Sequence, residues 1–377
     1  MSQATDFFAE FPAVSKKQWL DRIARDLKGK PLEDLHWQLG ETLRIDPFAH
    51  AEDQPAPPAP MAAAEPGWEI NEDIETATPD AANRQALEAL AFGAESLHIR
   101  PGGIAELPRL LDRVHLDYIS LHFGGKGLSD GPAALLSALG TVAKDRDLAS
   151  KTIRGSLYFD PAAAAVPDWR YTLDLLRFAQ AEFPGFCCLS VEGSTAFQGT
   201  DQVVDELALL VQRGSVYLEQ LTARGLSAGE VTNQMQFCLH IGTSYFVEIA
   251  KLRAFKLLWL NMLKAWNAPL KYPVLDVRFS PSTYTDDLYT NMIRATTMAM
   301  SAVLGGANRL TVKPYDAGRT AQAQYPQAFS RRIARNVQHL LKLESGFSAL
   351  TDPAAGSFYI EKLTRQLAEA AWEKVKQ

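Results

Sequence analysis

From residue 67 onward the chain alternates two hydrophobic rhythms. Short runs rich in β-branched, aromatic and aliphatic residues predict strands at 67–70, 95–100, 116–123, 154–160, 186–193, 233–242, 274–280 and 308–315. Between and after them, apolar residues recur at helical spacing over 80–92, 103–113, 130–146, 168–182, 200–224, 243–267, 285–304 and 322–344. A final helical run follows at 359–377. Strands that alternate with helices imply a parallel sheet, because each return crossover needs a helix. Such units repeated along residues 67–377 predict an α/β fold, a closed (β/α)8 barrel of the TIM type. A doubly wound open sheet is the runner-up, but "HFGGKGLSDG" (122–131) has glycines without the G-x-G-x-x-G order.

Ahead of this region the rhythm differs. In "SKKQWLDRIARDLKGK", Ser15 reads as a helix N-cap, and Trp19, Leu20, Ile23 and Leu27 fall on one helical stripe. An arm over 1–53 cannot bury that stripe alone, so it must lie on the barrel or on another chain. Residues 54–66, rich in Pro and Ala, read as an extended linker.

Composition narrows the function classes. The formal net charge is −6 and no basic patch is apparent, so nucleic acid is not an expected partner. Cys187, Cys188 and Cys238 are too few for a disulfide framework, which fits a cytoplasmic protein. The N-terminus has no apolar signal core, and Lys251, Arg253 and Lys256 interrupt the longest apolar helix, so no membrane role is expected.

Candidate chemistry is sparse. "DLHWQLG" (34–40) is near Asp-x-His-x-x-Gly, the loop whose His ligates cobalt in cobalamin domains, but its glycine is one residue late and no βαβ unit surrounds it. His98, His115, His122 and His240 lie in or beside strands without metal-ligand spacing, and read as core or surface histidines. "GGKG" (124–127) is either a phosphate-facing loop or a tight turn. Arg170 begins a helix after the fourth strand, where it could pair a carboxylate or simply sit on the surface beside Asp168 or Asp174. No catalytic residue and no metal site are identified.

At "IGTSYFVEIAKLRAFKLLW" (241–259) the chain resembles the cobalamin-dependent methylmalonyl-CoA mutase family. "LYTNMIRATTMAMSAVLGGAN" (288–308), "FSRRIARNVQHLLKLESG" (329–346) and "DPAAGSFYIEKLT" (352–364) match it in order. The start, "FPAVSKKQWLDRIARDLKG", is similar to the arm of that family's small subunit. The resemblance implies a (β/α)8 substrate barrel threaded by acyl-CoA, with adenosylcobalamin held on a separate C-terminal domain that this chain does not include.

The departures fall inside the barrel. Asp73 stands where catalytic members carry a Tyr over the substrate, and Tyr158 where a Gln faces it. In "EGSTAFQGT" (192–200), Phe197 and Gln198 occupy the region of a Tyr-His pair, and "RFSP" (278–281) keeps Arg278 but loses a His. Arg170 matches the family's carboxylate-binding Arg. The resemblance therefore implies substrate-binding positions at Arg170 and Arg278, degenerate positions at Asp73, Tyr158, Phe197 and Gln198, and a barrel interior closed by large side chains such as Phe197 and Tyr158.

The expectation is a non-catalytic small subunit that pairs with a catalytic large subunit as a heterodimer. It would bind no cofactor itself, with adenosylcobalamin on the partner. Two other readings stay open: a substrate-binding acyl-CoA mutase chain served by a separate cobalamin-domain protein, and a scaffold or chaperone-like module for cobalamin proteins.

Overall fold

The structure is a computed structural model and describes residues 12–41, 43–54, 61, 66–75, 78–128, 131–319 and 325–376. The barrel strands are β3 (Glu69–Ile74), β4 (Ser96–Ile99), β5 (Ser120–Phe123), β6 (Arg154–Leu157), β7 (Gly185–Cys187), β8 (Leu189–Glu192), β9 (Met235–Ile241), β10 (Val274–Phe279) and β11 (Arg309–Thr311). All their pairings are parallel, in the order β7-β6-β5-β4-β3-β11-β10-β9-β8. Strands β7 and β8 are one predicted strand interrupted at Cys188; its first half pairs with β6 and its second half with β9. Ser190 N donates to Phe159 O at 2.9 Å across that break, so the ring closes. The (β/α)8 barrel expected from the rhythm is the fold observed.

Around it stand α2 (Pro79–Ala91), α3 (Leu107–Leu110), α4 (Pro132–Lys144), α5 (Trp169–Glu182), α6 (Val203–Thr222), α8 (Tyr245–Ala265), α9 (Leu288–Leu304), α10 (Gln327–His339) and α11 (Phe358–Val375). A short α7 (Ala228–Asn233), capped by Ser227 and Glu230, was not anticipated. Local chemistry sets several starts. Thr78 caps α2 with Pro79 in its first turn, and Asp168 accepts from Tyr171 N at 2.9 Å to start α5. The first strand runs later than the predicted 67–70, and the eighth is cut short at Thr311 by Pro314 and the turn beyond it.

The apolar core lies between sheet and helices. Leu97, Leu121, Leu189, Leu239, Leu275 and Leu310 are fully buried on the outward face of their strands. Burying each is worth roughly 1.5–3 kcal/mol. The alternate, inward positions are mostly polar, with Gly185, Cys187, Cys238 and Val274 as exceptions. Parallel strands covered on both faces usually read as continuous apolar runs, and barrel interiors usually hold branched aliphatic side chains. This barrel departs from both rules.

The arm forms α1 (Lys16–Asp26), capped reciprocally by Ser15 and Gln18, and a hairpin of β1 (Trp37–Leu39) and β2 (Leu43–Ile45) that sequence periodicity did not reveal. Leu39 and Ile45 join the common core. Lys362 on α11 pairs with Asp46 at 2.5 Å, and Arg365 donates to Asp53 O at 3.0 Å. The stripe on α1 is only half-buried; Trp19 meets Phe48 edge-on at 5.4 Å. Most of the proposed linker, 55–60 and 62–65, lies outside the described residues. Among the described residues no helix is long and apolar enough to cross a membrane.

Candidate functional site

Two cavities mark the ends of the barrel axis. At the C-terminal mouth, about 290 Å³ is bounded by His98, Arg100, Tyr158, Glu192, His240 and Arg278. At the N-terminal end, about 500 Å³ is bounded by Glu69, Ser120, His122, Cys187, Gln236 and Arg309, among others. Between them the inward side chains form a buried belt of charge and hydrogen bonds.

Asp276 is the centre of the belt and is fully buried. Its Oδ2 accepts from Tyr158 Oη at 2.5 Å and from Arg278 Nε at 3.1 Å, and its Oδ1 accepts from Arg309 Nε at 3.0 Å. Arg309 Nη2 donates to Gln236 Oε1 at 2.7 Å, and Gln236 Nε2 donates to Ser190 Oγ at 2.5 Å. On the mouth side Arg278 donates to Tyr158 Oη and lies 3.4 Å from Asp73 Oδ1. His98 Nδ1 is 2.8 Å from Asp73 Oδ1, which fixes the tautomer with the proton on Nδ1. His98 Nε2 has no partner, and a Cβ on Gly124 would stand 2.8 Å from it, so the glycine lets the backbone close over the ring.

Burial opposes the charge of the carboxylates here; at Asp73, Asp276 and Glu69 neighbouring cations and hydrogen bonds prevail, whereas at Glu192 burial raises the acid. Arg278, His98 and Arg100 outweigh burial at Asp73, and Arg309, Arg278 and Tyr158 do so at Asp276; both acids lie far below the usual range. At Glu69, burial is overcome by His122, Arg309 and Ser120, and the acid falls to about 2. Burial, reinforced by Arg278, lowers His98 to about 3; burial and Arg309 lower His122 to about 4. Both rings are therefore neutral at pH 7, and the 3.6 Å approach of His122 Nε2 to Glu69 is not an ion pair. Burial raises Tyr158 well above its ordinary value. None of Asp73, Asp276, Glu69, His98, His122 and Tyr158 is poised to exchange a proton near neutrality.

The structure brings three of the singled-out residues together: Asp73, Tyr158 and Arg278, all within the belt. Arg170 lies exposed on the first turn of α5 and is not among the residues lining the mouth cavity with Arg278. Gln198 is exposed in the turn before α6. Phe197 is buried, but not on the axis. Its ring lies 4.0 Å from Lys251 Nζ, over a second buried cluster in which Lys251 meets Glu206 at 3.0 Å and Glu248 at 2.6 Å. Phe197 therefore lies over the Lys251 cluster and not on the barrel axis where it was expected; Tyr158, Arg278 and Asp276 stand there. The "GGKG" stretch is a turn packed on Arg100 and Pro101, where a Cβ on Gly127 would meet Pro101 Cγ at 2.4 Å.

Sequence reasoning missed Asp276, Arg309, Gln236 and Ser190. The signal was present, since polar residues at alternate strand positions, 96/98, 120/122, 236/240 and 276/278, mark a polar interior.

The cobalamin loop considered at 34–40 does not fit that group. His36 Nε2 pairs with Asp46 Oδ1 at 2.5 Å, and Nδ1 lies 2.8 Å from Arg44 Nη2, so both ring nitrogens are engaged beside the hairpin. Among the described residues no cluster of three or more His, Cys, Asp or Glu is placed to hold a metal ion.

A model of the family described as methylmalonyl-CoA mutase matches residues 102–377. The methylmalonyl-CoA mutase small subunit of Porphyromonas gingivalis is 32% identical, over 97% of this chain and 63% of that protein. The small subunit of Streptomyces virginiae is 28% identical, over 98% of this chain and 64% of that protein. The chain thus spans somewhat less than two thirds of the length of these relatives. Among solved structures, the dihydropteroate synthase of Burkholderia cenocepacia is 14% identical with a TM-score of 0.40, covering 74% of this chain and 93% of that one, a likeness too distant to carry weight. With a family model over most of its length and a relative above 30% identity along nearly all of it, this chain belongs to the methylmalonyl-CoA mutase family.

Proposed function

We propose that the chain is a non-catalytic subunit of a methylmalonyl-CoA mutase-like heterodimer, with turnover and adenosylcobalamin on a catalytic partner. The observation that carries this reading is the belt across the axis. A pantetheine arm can pass only if Tyr158 and Arg278, both half-buried, leave Asp276, which strands a fully buried carboxylate. At the mouth the His98 imidazole is neutral at pH 7 and burial holds the Tyr158 phenol protonated, so neither is poised as a proton carrier. Three unpaired thiols, Cys187, Cys188 and Cys238, suit the reducing cytoplasm.

Calorimetric titration of the purified chain with acyl-CoA esters, alone and after co-expression with a catalytic mutase subunit, tests this reading. The expected result is no acyl-CoA heat from the chain alone, and one acyl-CoA site per heterodimer. Micromolar acyl-CoA binding by the chain alone overturns the proposal.

A further inference from the structure

Beside the mouth, a separate chamber of about 390 Å³ lies between β3, the segment after β11 and α10. Its size falls within the range of small-molecule sites. Lys313 and Pro281 line both this chamber and the mouth cavity, so the two adjoin. Asp73 of the belt forms part of the chamber's wall, but the proposed subunit role does not use the chamber.

Its walls hold polar groups that folding leaves unsatisfied. Arg335 is 2% exposed and gives Nη1 to Glu72, while its Nε and Nη2 have no partner. Those two nitrogens form one edge of the guanidinium, the side-on fork that matches a carboxylate. Asp316 is 1% exposed, its Oδ2 has no partner, and it forms no ion pair among the described residues. Arg331 Nε and Glu72 Oε1 stand 3.5 Å apart without a hydrogen bond. Buried donors and acceptors are nearly always paired, so unpaired groups of both kinds around one cavity call for an occupant.

The charge of the lining selects its class. Lys313, Arg319, Arg331 and Arg335 face Glu72, Asp73, Glu75 and Asp316, so cations and carboxylates balance. Several already have partners: Asp73 and Glu75 with Arg100, and Arg319 with Asp286. Arg331 Nε and Glu72 Oε1 offset each other at 3.5 Å, and Lys313 is only half-buried where the chamber adjoins the mouth, so the unspent buried groups are a guanidinium edge and a carboxylate oxygen. A phosphate or a dianion would satisfy the first and be repelled by the second. We propose that this chamber binds a small zwitterion of amino-acid size, its carboxylate on the Nε/Nη2 edge of Arg335 and its ammonium on Asp316.

The test is thermal-shift screening of the chain against the proteinogenic amino acids at millimolar concentration, followed by calorimetry on the best binder and on its desamino acid. Saturable stabilisation by at least one amino acid is expected. Asp316→Asn, isosteric and neutral, should weaken that amino acid by about tenfold and leave the desamino acid unchanged. No saturable shift with any amino acid, or equal binding by Asp316→Asn, overturns the proposal. If Asp316→Asn does not fold, a crystal structure of the wild-type chain soaked in the same amino acid decides. Density for the amino acid between Arg335 and Asp316 supports the site, and ordered water alone overturns it.

Discussion

Two networks of buried charge lie back to back on β9. One faces the barrel axis and links Asp73, Arg278, Asp276 and Arg309 through Tyr158. The other faces α6 and α8 and joins Glu206, Glu248 and Lys251, all fully shielded from solvent. His240 connects them: its N–H donates to Glu206 at 2.8 Å, its carbonyl accepts from Lys251, and its ring lines the mouth. The axial belt balances two guanidinium groups against two carboxylates and has a cavity at each end. In the outer cluster one ammonium serves two carboxylates, and no cavity adjoins it among those described. Burial raises Glu248, while Lys251 and His240 overcome burial to lower Glu206, so Glu248 is the acid that takes up a proton first. The outer cluster lies beneath the sequence "EIAKL" that announces the family, and it is a clamp between sheet and helix. The belt carries two of the departures from the family pattern, Asp73 and Tyr158, while Phe197 lies over the outer cluster. The sequence typical of the family and part of the departure from it thus lie on opposite sides of the barrel sheet.

The sharpest way to break that comparison is to remove the outer cation. Lys251→Met leaves Glu206 and Glu248 facing each other without water, and the loss should reach about 3–5 kcal/mol, read by urea denaturation at pH 7. Cutting the belt should cost less, because the cavities at its two ends admit water to any stranded charge. A Lys251→Met loss below about 1 kcal/mol, the level of an exposed pair, would show that the outer cluster is solvated and remove the contrast.

Acid separates the two networks by another route. His98 and His122 stay neutral in the fold down to about 3 and 4, whereas the unfolded chain protonates its histidines near the ordinary value of 6.5. Below that value the unfolded state binds more protons, so stability falls with pH, by about 1.4 kcal/mol per unit for each ring. The loss levels off once the folded values are passed. Asp73, Asp276 and Glu69 are depressed acids, and the stability they contribute holds above the ordinary carboxylate range and fades only below it. Between pH 8 and 5.5 the two histidines together should therefore cost roughly 2–3 kcal/mol. His98→Asn keeps a donor toward Asp73 and should halve that slope, measured by denaturation at several pH values. An unchanged slope would place the acid sensitivity elsewhere.

The barrel was legible because strand and helix rhythms survive any tertiary context that keeps both faces covered, and eight units leave few topologies. Its closure through a strand broken at Cys188 was not, since a run such as "FCCLSVEG" reads as continuous. The hairpin at 37–45 escaped because three-residue strands carry no measurable period. Asp73, Tyr158 and Arg278 were found by comparison with the family pattern, and they do share one network. Asp276 and Arg309 were not, because a lone charge in a strand looks solvent-facing until the pleat places it inside. Phe197 misled for the converse reason. A turn residue after a strand can fold toward the axis or away from it, and only the Lys251 cluster decides which.

Within the belt, Tyr158→Phe removes one hydroxyl that donates to Asp276 and accepts from Arg278. The ring stays, so the expected cost is about 1–2 kcal/mol for the unsatisfied partners, again by urea denaturation. A neutral result would mean that water from the mouth cavity replaces the hydroxyl, and the belt would then be softer than the outer cluster.

The smallest effect belongs to Arg170, and it bears on how the resemblance should be used. The family pattern pairs Arg170 with Arg278 as substrate anchors, yet one is exposed on α5 and the other is half-buried in the belt. An exposed helical Arg beyond any buried network should change stability by no more than about 0.5 kcal/mol when replaced by Ala. If the axis admits no acyl-CoA, Arg170→Ala should also leave turnover of the assembled heterodimer at its wild-type value. A raised KM for acyl-CoA in that heterodimer would show that Arg170 reaches substrate in the assembly, and the closed barrel described here would have to open on association.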